Sequence, residues 1–102
     1  MASYVMSSEA LSDFQDIARY TRRQWGDLQA AKYRDQLESC ADMIATGKGN
    51  FKIRSDILPG LRMARCQSHY IFCLPQGNAP AVILAVLHQR MDLMTRIAER
   101  LK

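Results

Sequence analysis

The sequence predicts an α+β fold: an antiparallel helical hairpin packed on a mainly antiparallel β-sheet, followed by a short C-terminal helix. Three observations lead there. Apolar residues recur at helical spacing through residues 8–25 and again through 27–46, with only Gly26 between the two runs. After Pro59-Gly60 the pattern changes to short segments rich in strand formers. Beyond these, Leu93, Ile97 and Leu101 return to helical spacing. The order is strand, helix, helix, strand, strand, strand, short helix, which makes two layers around one core.

Tyr4-Val5-Met6 reads as a short strand. Ser7 or Ser8 caps the first helix, with Glu9 in its first turn. Its apolar stripe is Leu11, Phe14, Ile17, Ala18, Thr21 and Trp25, and Asp13 and Asp16 fall on a side read as solvated. Asp27 can cap the second helix, whose stripe is Leu28, Ala31, Tyr33, Leu37, Cys40, Ala41 and Ile44. A connection this short forces the helices side by side. Trp25, the lone tryptophan, is expected to close the core at the turn, the alternative being an interface anchor at a groove edge. Its truncation to alanine would then cost roughly 3–5 kcal/mol. Residues 48–60 read as a basic connection without regular structure. Leu61–Cys66 and His69–Leu74 read as strands, and Gln76–Pro80 as a hairpin loop. The unbroken apolar run Ala81–Leu87 predicts a strand buried on both faces, spanning about residues 82–88. Asp92 caps the last helix.

The chain of 102 residues, 48% apolar and 24% charged, is expected to be a single globular domain. Its longest apolar run is a third of the ~20 residues a spanning helix needs. No basic n-region or long apolar h-region marks a secretory signal, so a cytoplasmic protein without membrane contact is expected. Cys40, Cys66 and Cys73 are odd in number and lack CxxC spacing, which reads as free, mostly buried thiols in a reducing compartment. No metal site is expected from these cysteines with His69 and His88, and no cofactor: GxxxxGK[ST] and GxGxxG are both absent.

Charge is uneven. Residues 1–47 carry five basic and seven acidic side chains, residues 48–102 nine basic and three acidic. The basic half, with its balance of +6, faces something acidic or stays solvated. Lys48, Lys52, Arg54, Arg62, Arg65, Arg90, Arg96, Arg100 and Lys102 form a candidate nucleic-acid footprint, but no aromatic residue interleaves them in sequence as a base-stacking platform would. His88, beside Arg90 and Asp92, reads as a strand-end residue bonding to backbone rather than as an acid or base, since no spacing identifies a partner for catalysis. Met63, Met91 and Met94 suit either core filling or a flexible binding rim.

Four blocks then resemble a known family. They are Leu11–Thr21, Gln24-Trp25-Gly26, Pro59-Gly60-Leu61-Arg62, and His69-Tyr70-Ile71-Phe72 with Ile83–Asp92. In this order, over nearly the whole chain, they resemble ParE toxins of the RelE/ParE superfamily. Met63-Ala64-Arg65-Cys66 and Met91-Asp92-Leu93-Met94-Thr95-Arg96 are similar to the plasmid-stabilising ParE of broad-host-range plasmids in particular. The resemblance implies the toxin of a type II toxin–antitoxin module. It would inhibit DNA gyrase by binding and block replication. A ParD-like ribbon–helix–helix antitoxin would neutralise it, and operator DNA would be contacted only indirectly, through that antitoxin. The alternative is a RelE-type ribosome-dependent mRNA endoribonuclease. Such relatives use a Tyr or His near the C-terminus, and residues 89–102 contain neither. On this reading Arg90, Leu93, Arg96, Ile97 and Arg100 are expected to contact gyrase. The antitoxin is expected in a groove between hairpin and sheet, at Leu11, Phe14, Lys52, Arg54, Leu61, Arg62, Met63 and Arg65.

Overall fold

A computed structural model describes residues 3–102. The elements are β1 (Tyr4–Met6), α1 (Ser8–Trp25), α2 (Asp27–Ala45), β2 (Lys52–Ile53), β3 (Arg62–Cys66), β4 (His69–Gln76), β5 (Ala79–His88) and α3 (Leu93–Arg100). The five strands form one sheet in the order β1-β5-β4-β3-β2. β1 lies parallel to β5, and every other pair is antiparallel. The architecture is the α+β fold expected, with β2 added inside the segment read as irregular. Two residues are too few to leave a periodic signal.

Ser7 caps α1, its hydroxyl accepting the Ala10 N–H at 3.1 Å. Gly26, at φ +92°, ends α1 and begins α2, a left-handed geometry that favours glycine and reverses the chain within one residue. Against the sheet the hairpin buries Ala10, Phe14, Leu37, Ala41 and Ile44, which meet Ala64, Cys66, Ile71, Cys73, Ala81, Ile83 and Val86. The opposite face buries Leu61, Phe72, Ala85 and Leu87 beneath Ile97 of α3. β5 is therefore covered on both faces, as its continuous apolar run predicts. Pro75 sits where the β4–β5 register shifts, at a position that has no N–H to give the ladder.

Three expectations about packing are corrected. Leu11 is 49% exposed, Leu28 87% and Trp25 72%. The buried residues are Ala10, Phe14 and Thr21 on α1 and Ala30, Leu37, Ala41 and Ile44 on α2, so Leu11, Leu28 and Trp25 fall off these stripes. The hairpin tip stands off the sheet across an open cleft, so Trp25 has no core to close. Its substitution by alanine should then change stability by about 0.5 kcal/mol or less.

The cysteines are also corrected. Cys40 of α2 and Cys66 of β3 form a disulfide, with Cα atoms 6.2 Å apart. The sequence places them 26 residues apart, and only the packing of α2 across β3 brings them together. Cys73 alone is free; it is buried, and that burial pushes its thiol up to about 11. Closing a loop of that length stabilises by about 3–4 kcal/mol on the chain-entropy account. Dithiothreitol should therefore lower the melting temperature by several degrees, and should change nothing further in a Cys40→Ser/Cys66→Ser variant. Equal melting temperatures with and without reductant would show that the pair does not bridge.

Candidate functional site

The first cluster lies at the sheet edge. β1 pairs with β5 only as far as Ile83, leaving the Leu84 carbonyl and Val86 N–H without a strand partner on that side. Side chains replace the strand. The Val86 N–H donates to Asp13 Oδ2 at 3.0 Å, and Arg100 Nη1 donates to the Leu84 carbonyl at 3.1 Å. Arg100 also makes a two-pronged bond to Asp13, at 2.9 and 2.7 Å, and meets Glu9 at 3.2 Å. Both side chains are largely buried, and the bonds to Asp13 raise the guanidinium pKa. Arg100, expected on the target surface, instead fastens α3 to α1, and Asp13 is not solvated.

The second cluster is the outer surface of α3. Asp92 caps this helix, accepting from the Thr95 N–H at 3.3 Å and its hydroxyl at 2.8 Å, which holds the carboxyl below its usual range. Ile97 is fully buried, and Leu93 and Leu101 pack half-buried beside it. Ile97 therefore supports the surface from within. Met91, Met94 and Arg96 face out, while Arg90, expected with them, lines the cleft on the hairpin side of the sheet. Arg54 extends this surface, touching Met94 Sδ at 3.6 Å and Met63 Sδ at 3.7 Å. Its charge is shared with Asp56 through two bonds of 3.0 and 2.9 Å.

The residues expected to meet an antitoxin do not form one patch. Phe14 and Leu61 are core residues. Arg62 turns inward, donating to the Ile44 carbonyl at 2.9 Å and stacking 5.0 Å from the Phe51 ring centroid, so it neutralises the C-terminal end of α2. Arg65 is exposed and bonded to Gln89 Oε1 at 2.7 Å. Leu11 lies on α1, beside the β1 side of the sheet, while Lys52 lies on β2 at the opposite edge.

The third cluster was missed by sequence reasoning. A cleft of about 700 Å³ separates the hairpin tip from the far end of the sheet. Asp16, Ile17, Tyr20, Thr21, Trp25, Gln29 and Tyr33 line the helical side, and Ser68, His69, His88 and Arg90 the sheet side. His69 and His88 are register partners, and their rings meet edge to face at 5.1 Å. Tyr33 accepts the Ser68 N–H at 3.4 Å, and its hydroxyl shares a hydrogen bond of 2.6 Å with His69 Nδ1. The Arg90 N–H donates to His88 Nδ1 at 3.1 Å. Burial, then the neighbouring His88, lowers the His69 pKa to about 4. The folded chain thus binds fewer protons than the unfolded chain between about pH 4 and 6.5. Stability from this site is complete above 6.5 and is lost as pH falls toward 4. The urea midpoint should fall across that window, and by less in His69→Asn. Parallel curves for the two proteins would remove His69 from the pH response.

Comparison with known proteins follows this geometry. Residues 4–93 match the family model described as ParE toxin of type II toxin-antitoxin system, parDE. The chain is 51% identical over 102 residues to Toxin ParE of Escherichia coli, covering all of this chain and 99% of that protein. It is 33% identical over 92 residues to Toxin ParE1 of Caulobacter vibrioides, covering 90% of this chain and 94% of that one. With Toxin ParE1 of Mycobacterium tuberculosis the identity is 31% over 90 residues, 88% of this chain and 92% of that one. With a two-helix hairpin on a mostly antiparallel sheet, a family-model match over residues 4–93 and a relative 51% identical along the whole chain, the chain belongs to the ParE toxin family of type II toxin–antitoxin systems.

Proposed function

We propose that this chain arrests growth by binding DNA gyrase, without chemistry of its own, and that a ParD-like ribbon–helix–helix antitoxin silences it in the cytoplasm. The observation that carries the binding reading is the outer surface of α3. Met91 and Met94 are 43% and 48% exposed, beside the outward-facing Arg96 and, at Met94, Arg54. Buried Ile97, with half-buried Leu93 and Leu101, holds that surface on the sheet. Flexible apolar side chains flanked by cations suit a protein partner. Residues 89–102 contain neither the Tyr nor the His that RelE-type relatives use near the C-terminus. His69 and His88 open on the other face of the sheet, toward the hairpin. These placements favour binding over the RelE-type cleavage of mRNA.

An antitoxin meeting both Leu11 and Lys52 must wrap the toxin, since these residues lie toward opposite edges of the sheet. Lys52 and Arg65 are the exposed cations of the expected set that can steer an acidic segment. Arg54 and Arg62 act mainly within the fold.

The experiment is a gyrase supercoiling assay with the wild type and a Met94→Asp/Arg96→Glu variant, run beside growth arrest and ribosomal mRNA cleavage. The wild type should inhibit supercoiling and leave mRNA intact. The variant should keep its melting temperature within a few degrees yet lose inhibition by tenfold or more. A wild type that cleaves mRNA and spares gyrase would overturn the proposal. A folded variant that still inhibits would move the contact away from α3.

A further inference from the structure

We infer that Cys40 and Cys66 are a thiol–disulfide switch: bridged, they lock α2 to the β3–β4 turn beside the cleft, and reduced, they release that joint. This goes beyond the gyrase and antitoxin reading, and it rests on the cytoplasmic part of that reading. In a reducing compartment, a pair placed to bridge is usually transient or redox-sensing rather than a permanent staple. The fold does not need the bridge to place α2. Leu37, Ala41 and Ile44, on either side of Cys40, are at most 1% exposed and lie in one core with Ala64, Ile71 and Ile83 of the sheet. What the bridge governs is local. Tyr33 stands about two turns before Cys40, on the same side of α2. Its hydroxyl bonds to the Ser68 N–H and to His69 Nδ1. Cys66 ends β3 immediately before that turn. Two ties therefore join α2 to the turn, a covalent one at Cys66 and a hydrogen-bonded one at Ser68 and His69. Gln67 between them is held at φ +56°, which a residue with a Cβ adopts reluctantly, so the turn relaxes readily when one tie is cut. Tyr33, Ser68 and His69 all line the cleft, which places the joint at its wall.

Both redox states have a place in the fold. Cys40 is half-buried, whereas Cys66 is 3% exposed, so a small thiolate of the glutathione class reaches the Cys40 sulfur first. It forms a mixed disulfide there and expels Cys66 as a thiolate, which takes up a proton. A second small thiolate attacks the small-molecule sulfur of the mixed disulfide and expels Cys40, which is protonated in turn. Two small thiols leave as one small disulfide, and the pair has gained two electrons and two protons; oxidation by such a disulfide is the reverse. The Cys66 sulfur lies 3.5 Å from the Gln36 carbonyl, so its thiol has an acceptor in the reduced form. Cys73, the third cysteine, stays out of the exchange, because it is buried and burial keeps it a thiol at neutral pH.

The full chain is equilibrated with glutathione mixtures of increasing reduced share, quenched with acid and alkylated, and mass spectrometry counts the free thiols. The Cys40 and Cys66 thiols should appear together, in a graded conversion across the mixtures, with Cys73 free throughout. Amide hydrogen exchange on the two end states reads the joint. Reduction should speed exchange at Ser68 by about tenfold more than at Val86, which is held on the far side of the hairpin by Asp13. Cys40→Ala should show the reduced pattern in every mixture, with circular dichroism confirming its fold. A pair still bridged in reduced glutathione alone would overturn the inference in favour of a permanent staple. Free thiols in oxidised glutathione alone would overturn it by showing that the pair does not bridge. Exchange quickened equally at Ser68 and Val86 would also overturn it, since the bridge would then act on the whole fold. Alkylation inside unstressed cells should find the thiol form. Exchange in vitro with a pair fully bridged in those cells would overturn the cytoplasmic reading, and the switch with it.

Discussion

β5 outruns the strand beside it, and the Asp13–Arg100 pair covers what is left open. The Val86 N–H would otherwise be unpaired, and the Leu84 carbonyl would keep only the Ser7 hydroxyl at 3.4 Å, leaving a poorly paired edge in the middle of the molecule, costly if dry and adhesive if wet. A carboxylate from α1 and a guanidinium from α3 satisfy those two groups and each other in one arrangement. The pair therefore joins three things at once: the helical hairpin, the edge of the sheet and the C-terminal helix. Without Arg100, α3 keeps Ile97, Leu93 and Leu101 on the sheet but loses its fastening to the hairpin.

That fastening decides which cations remain for partners. The chain carries nine basic residues after residue 47, and the sequence gives them equal claims. In the fold Arg100 closes the edge, Arg62 ends α2 and Arg54 is shared with Asp56. Arg96 stays on the surface beside Met94, and Arg90 lines the cleft on the other face. The surface proposed for the target is thus narrower than the charge distribution suggests. It is also firmer, because a buried helix face and a partly buried ion pair set its position.

The legible part of the structure was that which local chemistry dictates. The two helices, their caps at Ser7 and Asp92, the one-residue turn at Gly26 and the doubly buried β5 follow from spacing and turn residues. The illegible part depends on pairs far apart in the chain. Asp13 looks solvated on a helical wheel, and its partner comes 87 residues later. Cys40 and Cys66 lack any spacing signal because two separate elements carry them. Trp25 sits at an apolar-stripe position but at the helix end, where the stripe has run past the sheet. The cleft could not be read at all, since it exists only where the hairpin tip overhangs His69 and His88.

A double-mutant cycle on Asp13→Asn and Arg100→Gln, read by urea unfolding, tests the role of this pair most directly. Each single change should destabilise, because each leaves a charged partner and a backbone group of β5 poorly matched. The account predicts a coupling of about 1–3 kcal/mol, together with faster amide exchange at Val86 in both single variants. Additive effects within ~0.5 kcal/mol, with Val86 still protected, would contradict it and show that the sheet edge is held by something else.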